Sequence, residues 1–256
     1  MSQDRNTNEY LIKAGMYDLL ANFYKYSNPD RHIAYYKEHL KYIHLAVQSS
    51  RTSMMPSQSS TGPAGQGKVR FVNASADAEN VDIYIDSLKI FKDFSYKDAS
   101  GYLSLPSGKH QIDIYPAGNA TTTILSRKVV VEPGKLYTLI FAGTKTNVKW
   151  LALEDDPRLP QGETKIRFAH LSPDAPALDI AVKKRDVIFS NVAYRGYTDY
   201  LGLSPMVIDL EARVQGSNNI VLPMPQVQLK PNRTYTILIL GSAAEEPGME
   251  AMILKG

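Results

Sequence analysis

The stretch KVRFVNASADAENVDIYI at residues 68–85 recurs without a gap as KIRFAHLSPDAPALDIAV at residues 165–182. Within each copy apolar and polar residues alternate, which is the period of a β-strand with one buried face. Two later pairs keep nearly the same offset: GYLSL (101–105) with DYLGL (199–203), and PGKLYTLIFAG (133–143) with PNRTYTILILG (231–241). A repeat this regular predicts two domains with the same strand layout.

The rest of each copy also has the pattern of a β-protein. Turn-forming Gly, Pro, Asn and Asp separate about seven short strand-like segments per copy. This favours a mainly β fold: two tandem antiparallel Ig-like β-sandwich domains. The runs at residues 137–142 and 235–240 are almost wholly apolar, which predicts a central strand covered on both faces.

The first fifty residues have a different period. Apolar and aromatic residues recur every three or four positions over residues 10–24 and 33–47, and SNPD at residues 27–30 suits a turn that begins a second helix. We therefore predict an α-helical hairpin at residues 1–50 and, from the Ser, Gly and Pro content, a flexible linker at residues 51–67. The sandwiches are predicted at residues 68–157 and 164–256.

Charge and composition exclude several classes of protein. The 29 basic and 26 acidic residues are spread evenly, so there is no concentrated basic face for nucleic acid. The absence of cysteine excludes disulfides, zinc–thiolate sites and cysteine nucleophiles. No apolar run reaches the roughly 18 residues of a transmembrane helix, and we recognise no signal peptide.

Catalytic motifs are absent from the sequence. There is no GxSxG elbow, no glycine-rich phosphate loop and no HExxH pair. We therefore expect a protein that is not an enzyme, with no catalytic residues, no cofactor and no firm metal site.

Two acidic residues recur in each copy: Asp77 and Asp82, then Asp174 and Asp179. Clustered carboxylates can bind calcium, but two per copy fall short of the six to eight oxygens that calcium takes. The simpler interpretation is that each Asp accepts backbone N–H groups and stabilises a turn. Calcium remains the weaker alternative.

Two arginines, Arg70 and Arg167, each precede a core Phe and so point to the opposite face of their strand. We expect them on the surface, paired with Asp82 and Asp179 of the neighbouring strand. Binding of an anionic ligand is the alternative.

Tyrosine is concentrated in the predicted hairpin, and tyrosine at protein interfaces packs its ring while its hydroxyl stays hydrated. Two helices of this length also have little core of their own. We expect residues 1–50 to mediate self-association or binding to another surface protein, unless the rings pack only against each other. The candidate interaction residues are Tyr10, Tyr17, Tyr24, Tyr36, Leu40 and Ile43.

A second set of tyrosines lies in the predicted sandwiches. If they are exposed, these rings could bind a carbohydrate or another polymer. The candidates are Tyr84, Tyr102, Tyr115, Tyr197 and Tyr200.

The repeated segments resemble the bacterial domain-of-unknown-function family 4397. The most recognisable piece is SPDAPALD at residues 172–179, which is altered to SADAENVD at residues 75–82. The resemblance implies a pair of β-sandwiches, frequent on secreted or surface proteins, with no established catalytic activity. The Tyr-rich front end resembles the extension found on such tandem domains in endospore-forming bacilli.

The resemblance sets the functional expectation. It implies a non-enzymatic structural or adhesion protein of the cell surface or the outer layer of a spore. A cytoplasmic location is the alternative, because we recognise no signal peptide.

Overall fold

The computed structural model of the chain describes residues 3–24, 29–52, 65–145 and 147–256. The chain forms two compact units, one with the two helices and one with all the strands. The helices are α1 (Gln3–Tyr24) and α2 (Pro29–Thr52), and α2 begins with a proline, which suits a first helical turn. Most of the predicted linker, residues 53–64, lies outside the described residues.

The described part of each repeat contains eight strands. The first sandwich consists of β1 (Gln66–Ala74), β2 (Val81–Ile85), β3 (Leu88–Phe94), β4 (Leu103–Pro106), β5 (Gly108–Pro116), β6 (Leu125–Val131), β7 (Leu136–Thr144) and β8 (Asn147–Asp155). The second consists of β9 (Thr164–His170), β10 (Leu178–Val182), β11 (Val187–Val192), β12 (Leu201–Leu203), β13 (Met206–Val214), β14 (Ile220–Leu229), β15 (Arg233–Leu240) and β16 (Glu250–Lys255).

Each sandwich has two four-stranded sheets. We call β4-β1-β7-β8 and β12-β9-β15-β16 the inner sheets, and β3-β2-β5-β6 and β11-β10-β13-β14 the outer sheets. The predicted fold class, mainly β sandwiches after two helices, is confirmed. One detail differs from the prediction, because the inner sheets are mixed: β1 pairs with β7, and β9 with β15, in parallel. Five intervening strands join the members of each pair, which is ample chain for a parallel connection.

Each sandwich has its own apolar core between its two sheets. Phe71, Ile83 and Phe141 are fully buried in the first, and Phe168, Ile180 and Ile237 in the second. These side chains come from alternate positions of their strands, as the period of two predicts.

A third apolar core lies between the two inner sheets, and we call it the shared core. Its buried members come from both repeats: Val72, Ala74, Ile140, Ala142, Leu153, Ala169, Leu171, Leu238, Leu240 and Leu254. Strands β7 and β15 are therefore buried on both faces, which confirms the prediction made from their apolar runs. The two sandwiches form one body.

Candidate functional site

A buried polar cluster borders the shared core, and its centre is the Asp155 carboxylate at the end of β8. Asp155 accepts hydrogen bonds from the Tyr102 hydroxyl (2.7 Å) and the Thr138 hydroxyl (2.5 Å) within the first sandwich. It also pairs with the Arg167 guanidinium of the second sandwich. The Arg70 guanidinium lies 3.9 Å away. One carboxylate thus neutralises arginines from both repeats.

The two arginines make matching contacts. The Arg70 Nε donates to the Thr138 Oγ1 (2.7 Å), and its guanidinium donates to the Lys255 carbonyl of the second sandwich (2.9 Å). The Arg167 Nε donates to the Thr236 Oγ1 (3.0 Å), and its guanidinium donates to the Glu154 carbonyl of the first sandwich (2.8 Å). The two repeats therefore hold each other by equivalent bonds.

Tyrosines cover both guanidinium groups. The Arg70 guanidinium lies 4.8 Å from the Tyr102 ring centre, and that of Arg167 lies 4.5 Å from the Tyr200 ring centre. Burial and the adjacent Asp155 carboxylate raise the pKa of Tyr102 well above its usual range, so its hydroxyl stays protonated.

These contacts correct two expectations. Arg70 and Arg167 are not on the surface beside Asp82 and Asp179; they are 5% and 3% exposed, because the face opposite the core Phe is covered by the other sandwich. Tyr102 is not an exposed ring either, since it packs on Arg70 and bonds Asp155.

The same holds for Tyr200, which packs on Arg167. The sequence did contain a signal for this cluster. Arg, Tyr and Thr recur at the same places in both copies, although none of them serves its own apolar core.

Asp82 and Asp179 stabilise loops in the same way in both repeats. Asp82 accepts the backbone N–H of Asp93 (3.0 Å) and of Gly118 (3.2 Å). Asp179 accepts the backbone N–H of Asn191 and of Gly216, both at 2.8 Å. All four donor residues have positive φ, so each Asp fixes two left-handed points of the backbone, one of them at a glycine. In the first repeat, Lys89 adds an ion pair to Asp82 at 2.6 Å.

Asp77 and Asp174 lie in the loops that follow β1 and β9. Asp77 accepts the backbone N–H of Lys145 (2.9 Å), and Asp174 accepts those of Ala243 and Ala244 and the Ser242 hydroxyl. Burial alone would raise the pKa of Asp174, but these donors lower it to about 2.

Asp77 and Asp174 both line a cleft of about 310 Å³ where the loops of the two sandwiches meet. None of the four repeated acids gathers a ligand set around it: within the described residues, no three His, Asp or Glu side chains come together as a metal site would require. Calcium binding there stays a prediction.

Tyr84 and Tyr115 lie side by side on the first outer sheet, on the face away from the core. Their ring centres are 5.2 Å apart, with the rings edge to face, and Lys89 lies 5.4 Å from the Tyr84 ring. The register of β2 and β5 makes them diagonal neighbours. Both rings are half-buried, whereas Tyr197 of the second sandwich is 51% exposed.

The second outer sheet has no such pair. Register places Ala181 at the position of Tyr84 and Arg213 at that of Tyr115. Arg213 pairs with Glu211 of its own strand and donates to the Arg185 carbonyl. The aromatic surface is thus a property of the first sandwich.

Most tyrosines of the helix pair, α1 and α2, pack between the two helices. Tyr10 and Tyr17 contact Tyr42, the latter stacked at 5.4 Å, and Tyr24 stacks on Tyr35 at 5.6 Å. Early residues of α1 contact late residues of α2, so the helices are antiparallel. Of the candidate interaction residues, Tyr10, Tyr17 and Tyr24 therefore face the other helix.

The remaining three candidates lie on another face of α2. With Ile33 they form what we call the α2 stripe: Ile33, Tyr36, Leu40 and Ile43. All four are exposed, by 37–51%. The spacing of three, four and three residues is that of an apolar seam that packs against another helix.

Comparison with known families bears on the repeated segments. Residues 67–181 match the family model described as "Domain of unknown function (DUF4397)". We call these residues the DUF4397 segment. The match covers the first sandwich and the first two strands of the second, and it confirms the resemblance seen in the sequence. The tandem arrangement and the Tyr-rich extension are not part of the match.

Solved structures of low similarity cover about three quarters of the chain. One is the carbohydrate-binding module CBMbc, of family CBM26, from Eubacterium rectale Amy13K in complex with maltoheptaose: 11% identity, 75% of this chain, 97% of that chain, TM-score 0.23. Another is the Bacillus anthracis TIE protein: 11% identity, 75% of this chain, 43% of that chain, TM-score 0.24. A third is a cell-adhesion-like protein from Parabacteroides distasonis ATCC 8503: 8% identity, 75% of this chain, 99% of that chain, TM-score 0.20.

At such identities and TM-scores these similarities do not extend to function. No curated protein matches the chain significantly. Among the described residues, neither α1 nor α2 combines the length and the apolar character of a membrane-crossing helix.

Proposed function

We propose that this chain is a non-enzymatic structural or adhesion protein of the bacterial cell or spore surface. In this proposal the two sandwiches form a rigid body, and the helical hairpin at residues 1–50 mediates attachment or self-association. The DUF4397 segment and the sequence resemblance support the location.

The shared core is the observation that carries the proposal. Apolar side chains of both inner sheets pack together, and Asp155 neutralises Arg167 and lies near Arg70. Two domains joined only by a flexible linker would leave these faces in contact with solvent, and the domains could rotate relative to each other. Burying them instead fixes one sandwich against the other, which suits a protein that transmits load or displays a surface.

The helix pair supplies the second argument. Among the side chains that the structure describes, those buried in the pair are small, namely Ala14, Ala21 and Ala46, and the stacked tyrosines lie around them. Much of its large apolar surface is exposed, including the α2 stripe. Two helices of this length gain stability by binding another surface.

The test compares the full chain with a variant lacking residues 1–62. Both are labelled and added to vegetative cells and spores of an endospore-forming bacillus, and both are sized by light scattering. We expect the full chain to be retained on a surface or to self-associate, and the shortened chain to do neither. Equal behaviour of the two chains would reject the proposal.

A second function, binding of a glycan or another polymer, is favoured by the Tyr84–Tyr115 pair. Two adjacent rings with the Lys89 ammonium nearby offer both an apolar platform and a hydrogen-bond donor to a sugar. The pair occurs on one sandwich, so one such site per chain is expected.

Pull-down on peptidoglycan and on a glycan array tests this second function. The double substitution Tyr84→Ala and Tyr115→Ala should weaken retention roughly thirtyfold, since each ring contributes a contact of about 1 kcal/mol. Tyr197→Ala, which removes an exposed ring elsewhere, is the matched control and should bind normally. Retention that survives the double substitution would remove this function.

A further inference from the structure

The α2 helix carries two apolar seams. One contains Tyr35, His39, Tyr42 and Ala46 and contacts α1 through stacked rings and a 3.0 Å hydrogen bond from the His39 imidazole to the Ala14 carbonyl. The other is the α2 stripe. With about 100° of rotation per residue, the stripe is centred about 120° from the first seam, in the direction of increasing residue number. One seam is used inside the helix pair, and the other faces outward.

The α1 helix has an outward apolar face as well. Ile12 is 66% exposed and Met16, one turn later, is 49% exposed. They lie about 140° from the α1 seam of Tyr10, Ala14 and Tyr17, in the opposite sense of rotation to the α2 stripe. In antiparallel helices, opposite senses place the two faces on opposite sides of the pair. The two outward faces therefore cannot both pack on one flat partner.

The charges of the helices indicate which faces match. The sequence of α1 contains three acidic and two basic residues, a net charge of −1. That of α2 contains four basic and two acidic residues, a net charge of +2. An α2 stripe on a second α2 would bring two positive helices together, whereas an α2 stripe on a second α1 joins opposite charges.

We infer that the helix pair joins copies of this chain head to tail, with the α2 stripe of one copy packed against the Ile12–Met16 face of α1 in the next. This rests on the proposed function, and it names the partner as a second copy. Because the contact joins two different faces, it is heterologous, and it builds a ring or an open chain of copies.

Two substitutions in the full chain separate the faces. Leu40→Lys disables the α2 stripe, and Ile12→Lys disables the α1 face. Both side chains are exposed, so the helices should still form, which far-ultraviolet circular dichroism checks. Leu88→Lys, at an exposed leucine of the first sandwich, is the matched control.

Light scattering over a concentration series gives the readout. We expect the wild-type chain and Leu88→Lys to grow beyond a dimer as concentration rises, and each helix variant alone to associate at least about tenfold more weakly. An equimolar mixture of the two helix variants should form a one-to-one pair, because one supplies an intact α2 stripe and the other an intact α1 face.

Other results would overturn the inference. A wild-type chain that is monomeric at every concentration contradicts it. So does an Ile12→Lys variant that still dimerises while Leu40→Lys does not, since that pattern belongs to a symmetric α2 contact. A monomeric chain that needs residues 1–62 to bind cells or spores would overturn this inference and leave the proposed function standing.

Discussion

The two sandwiches share a framework and differ in what they add to it. In both, an Asp fixes two loop residues of positive φ, an Arg crosses to the other repeat, and the first strand pairs in parallel with the seventh. Only the first has the Tyr84–Tyr115 pair. Only the second has a fully buried His170, where the first has Asn73. The contacts found in both repeats stabilise the fold. The residues found in only one repeat are the positions at which the two sandwiches can differ in function.

The largest loss of stability is expected at the polar cluster around Asp155, where the two sandwiches meet. Asp155→Ala removes the carboxylate that faces Arg70 and Arg167 and leaves two buried guanidinium groups without it. We expect a loss of about 3 kcal/mol in the free energy of unfolding of the strand unit, measured by urea titration.

Glu154→Ala is the matched control, because the carboxylate of the neighbouring Glu154 pairs with Lys135 and both side chains are about half exposed. Its cost should stay below about 1 kcal/mol. If the two substitutions cost the same, the polar cluster does not hold the sandwiches together.

The second prediction tests the shared role of the repeated acids. Asp82→Ala and Asp179→Ala each leave two backbone N–H groups without an acceptor. Each should cost about 2 kcal/mol of unfolding free energy, and the two costs should agree within about 1 kcal/mol, since the Lys89 pair of Asp82 is partly exposed.

Melting temperatures measured with and without calcium test the alternative, that the repeated acids bind this metal. A structural role predicts the same melting temperature for the wild-type chain with and without calcium. Stabilisation by calcium that disappears in both variants would favour the metal interpretation instead.

A third prediction concerns His110, at whose position the second repeat has Ile208. The His110 Nδ1 lies 2.6 Å from the Asp86 carboxylate, and its Nε2 lies 2.8 Å from the Pro106 carbonyl. Both ring nitrogens face acceptors, which favours the imidazolium. Burial alone would lower the pKa of His110, but these two acceptors raise it.

The sign of the pH effect follows from linkage. The contribution of His110 is complete below the unfolded pKa of about 6.5 and is lost as pH rises through the higher folded pKa. We expect a loss of about 1 kcal/mol of unfolding free energy between mildly acidic and alkaline pH. His110→Ile should abolish that slope, and a slope that persists in this variant must come from another group.

The smallest effect on stability is expected from His170, and its dependence on pH has the opposite sign to that of His110. The His170 Nε2 donates to the Pro176 carbonyl (3.1 Å), while its Nδ1 accepts the Ser172 N–H (3.4 Å), so the neutral ring satisfies both contacts. Burial lowers the pKa of His170.

The unfolded chain therefore takes up this proton first, and stability should fall as pH drops below about 6.5. His170→Asn introduces the residue that the first repeat has at this position. In urea titrations at several pH values, this variant should lose less unfolding free energy than the wild-type chain as pH drops below about 6.5. If the variant loses as much stability at acidic pH as the wild-type chain, His170 is not the cause of that loss.

The fold could be predicted from the sequence because it depends on local patterns and on an internal repeat. Alternation over residues 68–85 fixes which side chains share a face, and the second copy at residues 165–182 confirms the layout. Alternation cannot tell what covers the other face. The sequence therefore predicts that Arg70 faces solvent, although the other sandwich buries it.

The helix pair shows the same limit. Tyr10, Tyr17 and Tyr24 fall on one helix face by their spacing, and so do Tyr36, Leu40 and Ile43, so the sequence makes both sets equal candidates for an interface. Only the pairing of the helices separates them, since it places the first set between α1 and α2 and leaves the second exposed. A periodic pattern identifies a face but not its occupant.

The registers of the inner sheets bring the start of β1, the end of β8 and the end of β16 to one end of the strand unit. Lys68 near the start of β1 is opposite Leu136, which is opposite Asp155 at the end of β8. The bond from Arg70 to the Lys255 carbonyl brings the end of β16 to the same place. From that end, the nine residues of β1 extend about 30 Å toward the loop with Asp77, which lines the cleft at the other end of the unit together with Asp174.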